Sequence, residues 1–133
     1  MNDKILDKYA GRVAAAGDAP EGEDAEDYGA FGFLRGVRDR APMLELRKRD
    51  GNILALGYNW IERLEFNPSD GILIHAGGKA FAIRGRNLNA ETRPNLRLFQ
   101  GLTRHRVPWL RETDQAEWAD PGENRPIIER IEW

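Results

Sequence analysis

The sequence predicts an α+β fold: a twisted antiparallel sheet of about five strands, open or curled into a small barrel, with one packed C-terminal helix and a short N-terminal helix. Three observations support this prediction. Apolar and polar residues alternate in several runs between residues 44 and 84, which is typical of half-buried strands. Glycine-containing turn signals separate these runs, and after Pro94 the apolar residues change to helical spacing. We expect this α+β core to span residues 30–113.

The first predicted hairpin turns at residues 50–52, Asp-Gly-Asn, which have a strong turn propensity. A two-residue turn would place the leucines of the two strands on opposite faces of the sheet. A three-residue turn, with Gly51 in the left-handed region, places them on one face. The predicted register pairs Leu46 with Leu56 and Leu44 with Tyr58.

The second predicted hairpin spans residues 72–84 and has Gly77-Gly78 at its tip. Two adjacent glycines suit a two-residue primed turn, whose twist matches that of the strands. This turn pairs Ile74 with Phe81. It places four large apolar side chains on one face: Ile72, Ile74, Phe81 and Ile83.

Two helices are predicted from apolar residues at helical spacing. The first is a short amphipathic helix within residues 1–17, with an apolar stripe of Ile5, Leu6, Tyr9 and Val13. The second begins near Pro94, which is tolerated in a first turn. Its buried stripe is predicted to be Leu96, Phe99 and Leu102.

Charge is distributed unevenly along the chain. Residues 1–29 carry a net charge of −5, residues 30–113 of +7, and residues 114–133 of −4. The acidic stretch 18–29 lacks periodicity and contains Pro20 and two glycines, so it is predicted to be a linker without regular structure. Residues 114–133 are predicted to be an acidic tail with an apolar end. A basic core attracts nucleic acid or the protein's own acidic segments.

Six arginines between residues 84 and 106 form a basic cluster in the core. One interpretation is a functional site: an arginine-rich face that binds phosphates, where Trp109 or Tyr58 could stack on an unpaired base. The other interpretation is an ordinary solvated surface whose charge is partly neutralised by the acidic ends of the chain. The predicted nucleic-acid-binding residues are Arg84, Arg86, Arg93, Arg97, Arg104, Arg106 and Trp109.

One short segment of the core resembles a known RNA-binding family. Residues 83–88, Ile-Arg-Gly-Arg-Asn-Leu, resemble the second signature of Sm-like RNA-binding barrels, and Asn59-Trp60-Ile61 resembles a loop of their first signature. The loop lacks the aspartate of that signature, the segment before it is short, and a helix is predicted where such a barrel would close. The resemblance covers these six residues well and the rest of the chain poorly, so we do not assign the chain to the family.

The leading functional hypothesis rests on the C-terminal apolar residues. Ile127, Ile128, Ile131 and Trp133 follow a polar break, and as a contact surface they would anchor a protein partner or a second copy of the chain. The alternative is a tail that folds back on its own domain. The predicted function is a small non-enzymatic interaction or adaptor protein. Nucleic-acid binding by the arginine face, in competition with the acidic ends, is the second hypothesis.

Several classes of protein are disfavoured by the sequence. The chain has no cysteine, no signal-peptide pattern and no apolar run long enough to span a membrane, so we expect a cytoplasmic protein. His75 and His105 lie in no local metal-ligand spacing, and no nucleophile or phosphate-loop motif is present. We therefore expect no enzymatic activity, no cofactor, no metal site and no small-molecule substrate.

Overall fold

A computed structural model of the chain describes residues 25–36, 38–119, 122 and 124–133. Of these residues, 50% lie in strands and 11% in helical segments, so the fold is mostly β. The predicted α+β class is therefore wrong. The predicted N-terminal helix, residues 1–17, and residues 18–24 of the predicted linker lie outside the described residues.

Short strands make up most of the described chain. They are β1 (Ala25–Asp27), β2 (Gly32–Leu34), β3 (Met43–Arg47), β4 (Ile53–Gly57), β5 (Ile61–Asn67), β6 (Gly71–Ala76), β7 (Lys79–Arg86), β8 (Glu91–Arg93), β9 (Leu96–Arg97), β10 (Trp109–Arg111) and β11 (Ile127–Glu132). The helical segments of the described residues are α1 (Leu98–Thr103) and two 3-10 turns, Tyr58–Trp60 and Gln115–Glu117.

The strands form two main sheets and two small ribbons. The larger sheet is antiparallel with the order β11-β7-β6-β5. The smaller has the order β10-β3-β4, in which β10 is parallel to β3. The ribbons are β1 with β2 and β8 with β9. None of the sheets formed by the described residues is closed, so the prediction of one antiparallel sheet of about five strands, or a barrel made from it, is wrong.

The hairpin predicted over residues 72–84 is confirmed. Gly77 (φ 61°) and Gly78 (φ 80°) form its tip, both in the left-handed region that a two-residue primed turn requires. Ile74 pairs with Phe81, as predicted. Local turn chemistry and the apolar pattern agree here, and the four predicted side chains, Ile72, Ile74, Phe81 and Ile83, are buried.

The turn between β3 and β4 has the predicted length but lies one residue earlier. Lys48 and Asn52 close it through the Lys48 N–H, which donates to the Asn52 carbonyl at 2.8 Å. Gly51 (φ 97°) is therefore the last of the three turn residues. In a three-residue hairpin loop, a type I turn is followed by one residue in the left-handed region, and glycine adopts that conformation readily. Asp50 supports the turn by accepting the Asn52 N–H at 2.9 Å.

The register of this hairpin consequently differs from the prediction. Leu46 pairs with Leu54, and Leu44 pairs with Leu56. The predicted pairing of Leu46 with Leu56 and of Leu44 with Tyr58 is wrong by two residues. A shift of two residues leaves the leucines on one face, because side chains alternate with a period of two.

The packed C-terminal helix does not form over its predicted length. Residues 91–97 instead form the β8–β9 ribbon, and α1 has only six residues. Asn95 (φ 64°) is left-handed, and its N–H is held at 2.7 Å by the Glu91 carboxylate. A left-handed residue at this point cannot continue a right-handed helix. Of the predicted stripe, Leu102 is buried, whereas Leu96 and Phe99 are partly buried against the core.

Both acidic ends reach into the folded domain where they are described. The linker prediction for residues 18–29 is wrong at Ala25–Asp27, which is strand β1. The predicted tail of residues 114–133 contains β11, which pairs with β7 at one edge of the larger sheet.

A single apolar core joins the two sheets, and its members include Leu44, Leu46, Ile72, Ile74, Ile83, Leu98, Leu102, Leu110, Ile128 and Ile131.

Glu112 connects the two sheets through backbone hydrogen bonds. Its side chain is 8% exposed. One carboxylate oxygen accepts the Arg49 N–H at 2.7 Å, and the other accepts the Ile131 N–H at 2.8 Å. Arg49 lies in the turn after β3 and Ile131 lies in β11, so one carboxylate ties the smaller sheet to the larger.

We expect Glu112→Gln to lower the free energy of unfolding by about 1–3 kcal/mol. The amide nitrogen of glutamine is a donor and would face a backbone N–H, which leaves a buried group unpaired. Urea unfolding measures this change. The control Glu117→Gln alters a carboxylate 39% exposed in an ion pair with Arg125 and should cost less than about 1 kcal/mol. An equal loss in both variants would contradict the role of Glu112.

Two left-handed glycines offer a matched test of packing. Gly71 (φ 100°) and Gly51 (φ 97°) have nearly the same backbone conformation. A Cβ at Gly71 would clash with the Ile83 carbonyl oxygen, whereas at Gly51 no described atom lies within 4 Å. Both alanine variants should lose about 1–2 kcal/mol from backbone strain, and Gly71→Ala about 1–3 kcal/mol more from the clash. Equal melting temperatures of the two variants would contradict this packing.

Candidate anion-binding site

The arginines that were predicted to form one nucleic-acid-binding face have different neighbours in the structure. Arg84 lies 3.4 Å from the Glu132 carboxylate, and Arg86 lies 3.0 Å from that of Glu129. Both acids are in β11. The hydrogen bond from Arg130, at 2.6 Å, is the main cause that lowers the pKa of Glu132. Glu132 therefore stays ionised at neutral pH, and the C-terminal strand supplies counter-charges to this part of the predicted face.

The side chain of Arg93, a residue of β8, lies beside an aromatic ring. Its guanidinium is 5.7 Å from the centroid of the Tyr28 ring. Tyr28 donates its hydroxyl to Glu26, and burial is the main cause that raises its pKa to about 12. Arg93 is thus associated with the β1–β2 ribbon.

The two aromatic residues proposed for base stacking are both enclosed. Trp109 is 5% exposed, and the guanidinium groups of Arg47 and Arg111 each lie 4.9 Å from its ring centroid. Tyr58 donates its hydroxyl to the Val107 carbonyl at 2.6 Å, and burial raises its pKa far above the ordinary value. Neither ring offers a free face to a base.

The remaining predicted arginines meet in one concave pocket of about 320 Å³. The structure adds a fourth arginine that the sequence analysis missed, together with the side-chain amides of Asn95 and Gln100. No acidic residue is among the described residues that line the pocket. We call this site the arginine pocket and define it by Arg40, Arg97, Arg104 and Arg106.

Arg106 is held in place by the chain that surrounds it. Its guanidinium donates to the Leu34 carbonyl at 2.7 Å and lies 5.3 Å from the centroid of the Phe33 ring. Gly101 allows this packing because a Cβ there would press against the Phe33 ring and Val107. His105 (φ 58°) turns the chain after α1, so that the Arg106 N–H reaches the Gly101 carbonyl at 2.9 Å.

The other three arginines are anchored to different degrees. Arg97 donates to the Asn89 carbonyl at 2.7 Å and lies 4.0 Å from the Glu91 carboxylate. Arg40 donates to the carbonyl of Asp39 at 2.8 Å. The exposed Arg104 side chain pairs with none of the described residues. Carbonyl contacts thus orient the guanidinium groups of Arg97 and Arg40, and Glu91 supplies a counter-charge beside Arg97.

The predicted partner-binding residues are mostly inside the chain's own core. Ile127 and Ile128 are 0% exposed and Ile131 is 1% exposed. Trp133 is 43% exposed, and the Lys48 ammonium lies 4.2 Å from its ring centroid. The C-terminal segment thus has the arrangement given above as the alternative, a tail folded back on its own domain.

The two histidines form no metal site in the described structure. His105 stacks on Tyr58 with ring centroids 4.4 Å apart, and His75 lies 3.6 Å from the Glu65 carboxylate. Nowhere in the described ranges do three or more histidine, aspartate or glutamate side chains come together in a group that could hold a metal ion. None of the helices among these residues has the length and apolar character needed to cross a membrane.

Comparison of the chain with protein-family models, with curated proteins and with solved structures gives no significant match. Arginine presents a planar fork of donors that fits carboxylate and phosphate oxygens. The arginine pocket thus has the chemistry of an anion-binding site.

Proposed function

We propose that the protein is a non-enzymatic nucleic-acid-binding protein that holds phosphate groups in the arginine pocket. The observation that carries this proposal is the convergence of four arginines in a pocket whose described lining contains no acidic residue. Phosphate contacts supply most of the sequence-independent affinity for nucleic acid. The absence of cysteine favours action in the reducing cytoplasm.

The surface outside the arginine pocket favours a small contact area between the protein and nucleic acid. Arginines outside the pocket are largely paired with acids, as Arg47 is with Glu45, and within the pocket Arg97 lies 4.0 Å from Glu91. Such pairs compete with phosphates for the same guanidinium groups. We therefore expect contact with few phosphates, and an affinity that falls less steeply with salt than that of a protein with an extended basic groove.

Replacing Arg97 and Arg104 by alanine should weaken binding to a short single strand by about tenfold or more at low salt. It should also reduce the slope of log affinity against log salt by about 1.4, because each lost phosphate contact contributes about 0.7. Fluorescence anisotropy at several salt concentrations measures both effects. The control Arg63→Ala with Lys79→Ala removes the same charge outside the pocket. Equal losses in the two double variants would contradict a localised site.

The acidic C-terminal strand should restrain binding at Arg84 and Arg86. Replacing Glu129 and Glu132 by glutamine frees both arginines, so affinity for a polyanion should rise at low salt. The gain should fade as salt increases, because exposed charges are screened within about 10 Å at 0.1 M. The control Glu62→Gln with Glu65→Gln removes the same charge from β5. A similar gain in both variants would indicate an effect of net charge alone.

A second candidate function, binding of a protein partner or a second copy, is favoured by a different surface. Trp60 is 74% exposed and its side chain packs over Gly57 together with Met43. β4 pairs only with β3 among the described residues, and its sequence contains no charged residue or proline. Unprotected edge strands readily pair with other chains. Light scattering of the wild type and of Trp60→Ser tests this candidate: loss of a larger species would support it, and a monomer in both would exclude self-association.

A further inference from the structure

We infer that the protein forms a symmetric dimer in which β4 pairs antiparallel with β4 of a second copy, with Ala55 at the two-fold axis. This inference specifies the second candidate function and does not depend on nucleic-acid binding, because β4 contributes none of the described residues that line the arginine pocket. It rests on three properties of this sheet edge: its backbone groups, its side chains and its lack of charge.

The backbone of β4 has groups that point away from its one partner strand. The hydrogen bond from the Lys48 N–H to the Asn52 carbonyl, at 2.8 Å, fixes which residues of β4 bond to β3. Because bonded and non-bonded pairs alternate along an antiparallel ladder, Ile53 and Ala55 direct their N–H and C=O groups outward, and Gly57 directs its N–H there. None of these groups is hydrogen-bonded to another described residue. A second strand can therefore pair with them.

A register centred on Ala55 matches these groups to their own copies. Ala55 then exchanges both hydrogen bonds with Ala55 of the second copy, and the Gly57 N–H donates to the Ile53 carbonyl of that copy. The same contacts repeat on the other side of the axis, because in a two-fold interface each contact occurs twice. An edge that pairs with itself in this way requires no other partner.

Exposed apolar side chains cover each other in this register. Ile53, Ala55 and Gly57 share one face of β4, because side chains alternate along a strand. Ile53 is 58% exposed and lies opposite Gly57 of the second copy. The Trp60 ring packs over Gly57 and is 74% exposed, so Ile53 of one copy contacts Trp60 of the other. The two most exposed large apolar side chains of the described chain are thus covered together.

The charge of the sheet edges favours self-association at β4. Like charges directly opposite each other destabilise a strand pair, and β4 has no charged residue to oppose its own copy. The edges of the larger sheet, β5 and β11, contain acids and arginines, which protect an edge from pairing. The other edge of the smaller sheet, β10, is covered by a bridge between Phe31 and Leu110. β4 is therefore the unprotected edge of the two main sheets.

The experiment places charges at the two-fold axis and measures the dissociation constant of the full chain by sedimentation equilibrium. Ala55→Lys and Ala55→Glu should each weaken the dimer about fivefold or more, because each sets like charges opposite each other. An equal mixture of the two variants should restore association, because lysine then faces glutamate. The controls Ala80→Lys and Ala80→Glu change another exposed strand alanine, in β7, and should dimerise as the wild type does.

A cysteine at the same position gives a second measurement. The chain has no cysteine, so Ala55→Cys introduces a single thiol. Directly bonded residues of an antiparallel pair have Cα atoms about 5.5 Å apart, which a disulfide can bridge. Under mild oxidation Ala55→Cys should form a covalent dimer, and Ala80→Cys should not.

The outcomes separate this inference from the proposed function. Rescue in the mixture together with cross-linking at Ala55 supports the inference. A monomeric wild type, equal effects at Ala55 and Ala80, or a weakened dimer that the mixture does not restore overturns it. Anisotropy of a labelled single strand on the same samples reports nucleic-acid binding separately. Binding by a monomeric wild type supports the proposed function without the dimer, and a dimer that binds no strand supports the dimer alone.

Discussion

Besides the apolar core that they share, the two sheets are joined by the buried carboxylate of Glu112. It accepts one N–H from the turn after β3 and one from β11, at 2.7 and 2.8 Å. The next residue, Thr113, donates its N–H to the Ile128 carbonyl at 2.7 Å and accepts the Ile128 N–H at 3.0 Å. Two consecutive residues thus replace a regular strand ladder where the sheets meet. In a region of low dielectric constant such a network is strong when complete and costly when broken.

The pairing of β11 with β7 determines part of the charge distribution on the surface. It brings Glu129 and Glu132 of β11 to Arg86 and Arg84 of β7. The negative C-terminal segment therefore neutralises one part of the basic core and leaves the arginine pocket with no acid in its described lining. The acidic strand β11 therefore pairs with some of the arginines of the core, Arg84 and Arg86, and not with those of the arginine pocket.

Local chemistry was sufficient to predict some elements and not others. The Gly77-Gly78 hairpin was predicted in its observed register because a two-residue turn and an apolar face both require it. The Gly51 hairpin was predicted with the right turn length but the wrong register, since neighbouring registers two residues apart bury the same face. The helix predicted after Pro94 does not form over its predicted length because the Glu91 carboxylate accepts the N–H of Asn95, which has a left-handed conformation. The spacing of apolar residues does not reveal this interaction.

The sequence by itself determined the hairpin turns, most of the core positions within them and the basic character of the middle of the chain. Only the tertiary structure decided which arginines meet in the arginine pocket. Arg40 is far from Arg97 in sequence, and the fold brings both to one pocket. Tertiary packing also decided that Ile127, Ile128 and Ile131 belong to the core and not to a contact surface. The physical reason is that turns depend on neighbouring residues, whereas burial and charge pairing depend on residues distant in sequence that meet when the sheets assemble.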